Sequence, residues 1–222
     1  NQQKIGELTY IAEVKEFNEP GGMMDQYSTA MGYLIYLESK PKISIQSLNP
    51  NLGTFVLGDS CEPKDTMGIL ARCRDARLTI LDKLKKQNTS FSLYTSNIDF
   101  KLNDLTEEEK TLFHGTIQNR DFLKYALLEL EKTEQNHKKI GKLLSDHHAV
   151  LRDVLNVSTP KIEAMLEAAM DAGALGGKIN GSGGGGCMVA YDPENPQQIA
   201  EAIQKAGGKA YIIYPDEGTR ID

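Results

Sequence analysis

The 222 residues carry a formal net charge of −6, from 25 Lys and Arg against 31 Asp and Glu, and 40% of them are hydrophobic. The composition supports a folded core, and the basic residues are spread along the chain, which argues against nucleic acid or an anionic membrane as the main partner. No stretch is apolar enough to cross a bilayer, no signal peptide opens the chain, and the cysteines at 61, 73 and 187 fit no zinc spacing, so the sequence reads as a reduced, cytoplasmic protein.

The chain opens on an amphipathic helical pattern, Ile5, Leu8, Ile11 and Ala12 with Val14 nearby, and no N-cap precedes it. A helix without its start signals points to a missing upstream segment; the alternative is a frayed terminus. Glu19-Pro20-Gly21-Gly22 reads as a loop. Residues 23–31 read as a short helix with Met24, Tyr27 and Met31 along one face. Three strand-like runs follow at 33–37, 43–48 and 54–58, separated by Pro41 and by Asn49-Pro50-Asn51. Residues 68–86 are helical, and 88–103 are polar and irregular. From 106 to about 155 the composition predicts two or three helices, broken near His114-Gly115 and around Gly141. A helix over 160–172 has Ser158 or Thr159 as its cap and Pro160 in its first turn. Residues 176–191 read as strand, glycine loop, strand; 196–206 as a helix; 210–214 as a last strand. This interleaving favours α+β layers over a helical bundle.

Three segments can carry chemistry. The first is Gly181-Ser182-Gly183-Gly184-Gly185-Gly186, flanked by Lys178-Ile179 and Cys187-Met188-Val189. Successive glycines let backbone N–H groups approach a ligand, and such a loop between two buried strands can form an anion-binding concavity. It has neither the P-loop spacing nor that of a Rossmann turn, and the plainer alternative is a flexible hairpin tip. The second is Gly21-Gly22-Met23-Met24-Asp25-Gln26. A carboxylate at a helix start is expected to stay ionised and can orient or accept the proton of a substrate hydroxyl, as phosphoryl transfer to an alcohol requires. The alternative is a capping Asp with no catalytic role. The third is Asp146-His147-His148-Ala149-Val150-Leu151-Arg152-Asp153 with Val157-Ser158-Thr159-Pro160. Adjacent histidines face different sides of a helix, so a packed interhelical His is expected here rather than a metal site.

Together these segments resemble the galactokinase branch of the GHMP kinases. Gly22-Met23-Met24-Asp25-Gln26 is similar to that family's Gly-Ile-Met-Asp-Gln segment, residues 141–163 to its His, Leu-Arg-Asp, Val-Ser and Pro block, and residues 178–187 to its glycine-rich third motif. The resemblance runs along nearly the whole chain, and residues 216–220 fall where the family has a short terminal strand. It implies an ATP-dependent sugar kinase of galactose metabolism. Asp25 would be the catalytic base, Gly22, Asp25 and Gln26 would hold the substrate, and Gly181, Ser182, Gly183, Gly184, Gly185 and Gly186 would form the phosphate loop. ATP and Mg²⁺ are the implied cofactors, with the metal held mostly outside this chain. The implied fold class is α+β, a two-domain GHMP kinase-like architecture. Residues 1–50 would be a remnant of the N-terminal nucleotide- and substrate-binding domain, and residues 51–222 a ferredoxin-like C-terminal domain.

The family's Pro-x-x-x-Gly-x-x-Ser-Ser-Ala and Arg-x-Asn-Leu-x-Gly-Glu-His-x-Asp segments do not occur in the sequence. The chain therefore reads as a fragment whose partner is the missing N-terminal segment and which is inactive alone. Three positions depart from the family pattern: Asn180 for Ser or Thr, Gly21 for Cys, and the 69–74 segment Ile-Leu-Ala-Arg-Cys-Arg for Tyr-x-x-Arg-Arg, whose Tyr helps hold the sugar. A catalytically silent sugar sensor is the alternative, as is a kinase for another sugar. The Asp25 motif and the His147-His148 block argue against mevalonate.

Overall fold

In the computed structural model of the chain, residues 1–19, 21–40, 42–64, 66–94 and 102–220 are described. Part of the polar stretch expected at 88–103 lies outside them. Helix α1 (Gln2–Tyr10) runs into a π-helical turn (Ile11–Lys15). Asn1 caps it, its side chain accepting from the Lys4 N–H at 2.9 Å. The expectation of an uncapped start is thus corrected: the helix begins three residues before the first apolar position, Ile5, so its cap sits further upstream than the apolar pattern suggests. Of that pattern only Val14 is buried. Ile5 is 40% and Leu8 54% exposed, and the buried positions are Gly6 and Val14. Gly6 lies against Tyr27, where a Cβ would stand 2.8 Å from Cδ1. Helix α2 (Met24–Met31) buries Gln26, Tyr27 and Ala30, while Met24, expected on the packed face, is 48% exposed.

Strands β1 (Leu34–Glu38) and β2 (Ser44–Leu48) form an antiparallel hairpin in the register Leu34↔Leu48. A second, four-stranded antiparallel sheet has the order β4-β5-β3-β6, with β3 at Phe55–Asp59, β4 at Gly176–Ile179, β5 at Cys187–Tyr191 and β6 at Lys209–Ile213. The strand order and the helices between the strands make this a ferredoxin-like βαββαβ unit. Helices α6 (Pro160–Asp171) and α7 (Pro196–Lys205) cover the sheet. Val56, Ile162, Met165, Ile179, Met188, Ile199 and Ile203 form the core between them.

Between β3 and β4 stand α3 (Thr66–Gln87), α4 (Glu107–Leu130), α5 (His137–Asp153) and α6. Thr106 and Glu109 form a capping box at the start of α4, and Asn136 caps α5 by accepting from the Lys139 N–H. Ile80, Leu84, Phe91, Leu105, Phe113 and Ile117 build a second core between α3 and α4. The breaks expected near Gly115 and Gly141 do not occur. Both glycines sit inside continuous helices, because other elements approach them closely. A Cβ on Gly115 would stand 2.9 Å from Val154 Cγ1, and one on Gly141 only 2.3 Å from the Leu175 carbonyl oxygen. The real break falls at residues 131–136, where apolar positions run out. The chain end returns to α2: the Tyr33 N–H donates to the Asp216 carbonyl at 2.6 Å and the Thr219 N–H to the Ala30 carbonyl at 3.1 Å. The terminal strand implied by the family is here one bridge, Gly32↔Glu217.

Glu129, fully buried in the last turn of α4, binds this corner together. Its carboxylate accepts from Lys132 at 2.7 Å and from the Asn136 N–H at 2.9 Å, and pairs with Lys139 at 3.0 Å. The Lys132 hydrogen bond, then those of Asn136 and Lys139, hold its pKa at about 2 against the opposing effect of burial. A depressed carboxylate stabilises the fold fully above its ordinary range and loses that contribution as pH falls through the folded value. Glu129→Gln is therefore expected to lower the Tm at pH 7, with the gap to the parent closing between about pH 4.5 and pH 2. A pH-independent gap in thermal melts would contradict this assignment.

Candidate active site

The turn joining β4 to β5 is the glycine loop, and its glycines adopt backbone angles that its neighbours demand. Gly183 has φ +83°, and a Cβ there would stand 2.4 Å from the Val157 carbonyl; Gly185 has φ +110°, with the Pro63 carbonyl at 2.8 Å from the same point. The loop is wedged between residues 157–158 and 62–64. The Gly184 N–H donates to the Val157 carbonyl at 2.7 Å, and the Gly186 carbonyl accepts from the Ser60 N–H at 2.9 Å. These bonds argue against a flexible hairpin tip. They also engage the Gly184 amide, one of the donors that the sequence assigned to phosphate.

Gly181 and Ser182, at the front of this loop, line a cavity of about 300 Å³ shared with Gly22, Asp25 and Gln26. Gly183, Gly184, Gly185 and Gly186 lie behind them as the loop's anchor. The cavity's other walls come from Glu13 and Val14 of the π-helical turn and from Lys64, Met67 and Leu70 at the entry to α3. Asp25 stands in the first turn of α2 and is exposed. The helix has no side-chain capping bond, its N-cap being Met23, so the carboxylate is not spent on capping. Gln26 is buried, and its Nε2 donates to Glu13 at 2.8 Å. Among the described residues, Gln26 Oε1 and Ser182 Oγ are buried without a hydrogen-bond partner. Both atoms belong to residues of the cavity wall and are themselves enclosed by protein.

Lys64 was not anticipated from the sequence. It runs along the loop, its Nζ 3.0 Å from the point where a Gly181 Cβ would be and its Cδ 3.3 Å from the equivalent point at Gly186. Only the absence of side chains on the loop lets an ammonium lie there. Its one sequence signal is a lysine after Pro63 in the turn between β3 and α3. The aliphatic segment that replaces the family's Tyr divides its roles. Ile69 packs onto Gly184, leaving no room for a Cβ, while Leu70 faces the cavity. Arg72 donates to the Leu155 and Asn156 carbonyls at 3.0 and 3.3 Å, tying α3 to the segment that holds the loop.

The histidine pair divides as a helix dictates. His148 is buried between α5, α6 and β4. The Ile179 N–H donates to its Nδ1 at 3.2 Å, so Nε2 carries the proton and donates to Glu163 at 2.9 Å. Burial pushes the His148 pKa down. Glu163 also accepts from Ser158 and from Arg152. Burial acts to raise the Glu163 pKa, and the Ser158 and His148 hydrogen bonds outweigh it, leaving it lowered. The network braces the segment beneath the glycine loop. His147 points elsewhere, into an apolar cavity. Among the described residues no group of three His, Cys, Asp or Glu could hold a metal ion, and no helix is long and apolar enough to cross a membrane.

Comparison with known proteins shows what the chain is similar to. Residues 123–209 match the family described as GHMP kinases C terminal. A mevalonate kinase from Thermococcus onnurineus is 45% identical over 100 residues, which is 45% of this chain and 30% of that one. A galactokinase from Streptomyces coelicolor is 23% identical over 233 residues, covering 96% of this chain and 57% of the other. The chain therefore spans about a third to just over half of these relatives. The crystal structure of Lactococcus lactis galactokinase complexed with galactose shares the fold, with a TM-score of 0.76 over 99% of this chain and 60% of that one at 21% identity. Streptococcus pneumoniae phosphomevalonate kinase in complex with phosphomevalonate and AMPPNP gives 0.60 over 98% and 61%, at 15% identity. Residues 123–209 are thus similar to the C-terminal domain of the GHMP kinases, and the whole described chain shares the α+β fold of the solved galactokinase.

Proposed function

We propose that the chain is the C-terminal part of an ATP-dependent kinase that phosphorylates a sugar hydroxyl, as galactokinases do. The observation that carries this reading is the single cavity into which Asp25, Lys64 and Ser182 converge. Asp25 takes the proton of the acceptor hydroxyl as its oxygen bonds to the γ-phosphorus and the bond to the β-phosphate oxygen breaks. Lys64 faces the phosphate oxygens, where charge is held during transfer, and Gly181 and Ser182 frame them from the glycine loop. Gln26 stands on the cavity wall beside the acceptor, and Gly22, without a side chain, lets the substrate approach the start of α2. Mg²⁺ accompanies the nucleotide, its protein ligands lying outside the described residues. In this reading residues 1–50 belong to the nucleotide- and substrate-binding domain and residues 51–222 to the C-terminal one.

A second reading is a kinase for a mevalonate-like alcohol. The Asp25 motif and the histidine block do not exclude it, given a mevalonate kinase 45% identical over 100 residues. The apolar Met24, Met67 and Leu70 on the cavity wall suit a less hydroxylated acceptor than a hexose.

The test is ADP release by the natural gene product with ATP and a panel of galactose, other hexoses and mevalonate, with the product identified by mass spectrometry. A sugar phosphate is the expected product. Phosphomevalonate alone would establish the second reading, and saturable sugar binding without ADP release would make the protein a sensor. The 222-residue chain alone is expected to show no turnover, because its sequence has no Pro-x-x-x-Gly-x-x-Ser-Ser-Ala loop for the nucleotide phosphates. ADP release by that chain alone would overturn the expectation.

A further inference from the structure

Asn180-Gly181 opens the glycine loop, and no other asparagine of the sequence is followed by glycine. The Asn180 backbone is held by β5, its N–H donating to the Cys187 carbonyl at 2.8 Å. Its side chain has no such tie. Asn180 is exposed, and among the described residues its side-chain amide forms no hydrogen bond. The Gly181 N–H is equally unengaged among them; the loop's own backbone bonds resume only at Gly184 and Gly186.

An electrophilic carbon and a potential nucleophile thus lie free on neighbouring residues. A bond between the Gly181 nitrogen and Asn180 Cγ closes a small ring, and an attack within one chain needs no second molecule to be gathered. Glycine brings no side chain into the path of that attack. The surroundings give the reaction a consequence. Gly181 lines the cavity shared with Asp25, and Lys64 Nζ lies 3.0 Å from the point where a Gly181 Cβ would be.

We propose that Asn180-Gly181 is a self-modifying site, at which a neutral amide becomes a carboxylate beside Lys64. The Gly181 nitrogen bonds to Asn180 Cγ, the Cγ–Nδ2 bond breaks, and the proton of the Gly181 N–H leaves with the –NH₂ as ammonia. Water then opens the resulting succinimide. Attack at Cγ gives aspartate; attack at the backbone carbonyl carbon gives isoaspartate, with the main chain rerouted through Cβ. In either case the new carboxylic acid gives its proton to the ammonia and keeps a negative charge. That charge attracts the Lys64 ammonium and draws it from an anionic ligand. The effect on a ligand rests on the kinase reading, in which Lys64 serves the phosphates; the conversion does not.

The natural gene product is held at a series of mildly alkaline pH values and digested with trypsin at intervals. The peptide Ile179–Lys205 reports the site, because its other asparagine, Asn195, precedes Pro196, whose nitrogen carries no hydrogen. Mass spectrometry should show –NH₂ exchanged for –OH at residue 180, as aspartate and isoaspartate together, at a rate proportional to hydroxide. In the ADP-release assay the KM for ATP should rise about tenfold as conversion completes, and by as much in fresh Asn180→Asp. Asn180→Ser should behave the same before and after incubation. A peptide that stays unconverted in the folded protein but converts in urea would overturn the proposal, since the loop would then protect Asn180. Aspartate without isoaspartate would overturn the succinimide route. Full conversion with an unchanged KM would overturn the effect of the charge on Lys64. Conversion in a gene product that turns over no ATP would overturn the kinase reading and leave the modification standing.

Discussion

Replacing Gly176 by alanine is expected to destabilise the fold by at least about 3 kcal/mol, at the upper end of what overpacking costs. A Cβ on Gly176 would stand 1.8 Å from the Gly141 carbonyl oxygen and 2.3 Å from its carbon. Both partners are backbone, one in the sheet and one in α5, so no side chain can rotate away; the helix must lift from the strand. Gly141→Ala meets the Leu175 carbonyl in the same way, at 2.3 Å. Gly115→Ala is the control. Its obstacle is a valine methyl at 2.9 Å, which can shift, and alanine regains up to about 1 kcal/mol of helix propensity over glycine. Urea titrations should therefore rank Gly115→Ala near the parent and the other two far below it. Equal losses for all three would show that the backbone contacts of Gly176 and Gly141 do not set the cost.

Under the proposed kinase reading, Asp25→Asn is expected to lower kcat by about 10²–10⁴, the span typical of a lost general base. The KM for the acceptor should change little, because asparagine keeps the size and most of the hydrogen bonding. The substitution should lower the Tm by no more than about 3 °C, since Asp25 is exposed, neither caps α2 nor packs in the core, and contributes only its charge at the helix start. Lys64→Met separates the roles: it should raise the KM for ATP as well as lower kcat. Turnover by Asp25→Asn within threefold of the parent would remove Asp25 from the chemistry.

The contrast between these sites shows what the sequence could reveal. Local chemistry was readable. Thr159 and Pro160 mark the start of α6 because a cap and a fixed φ act within one turn. The glycine run announced a tight loop, and the strand runs fell within a residue or two of β1 to β6. Gly115 and Gly141 were misread as helix breaks because a glycine needed for close contact looks the same in sequence as one that ends a helix; only Val154 and Leu175, distant in the chain, tell them apart. Asn1 was overlooked as a cap because it stands ahead of the apolar pattern. In the candidate site, Gly22, Asp25, Gln26, Gly181 and Ser182 were named in advance and do meet in one cavity. Lys64 was not, since its position depends on the β3 turn folding over a loop that lies far along the sequence. His147 was read only as one of a histidine pair, because the apolar cavity it enters is assembled from β1, β3, α4 and α5.

The sheet order also has a consequence for how the chain is made. Strand β3 becomes an inner strand, pairing Asp59 with Cys187 on one side and with Lys209 on the other. Both partners follow α3 to α6 in the sequence. As the polypeptide leaves the ribosome, Phe55-Val56-Leu57 emerges with neither neighbour yet synthesised. Four helices must pass before the first can arrive. During that interval an apolar strand has two open edges, the condition in which nascent chains stick to one another. The middle of the finished sheet thus waits through the synthesis of four helices for its place and depends on being shielded until then.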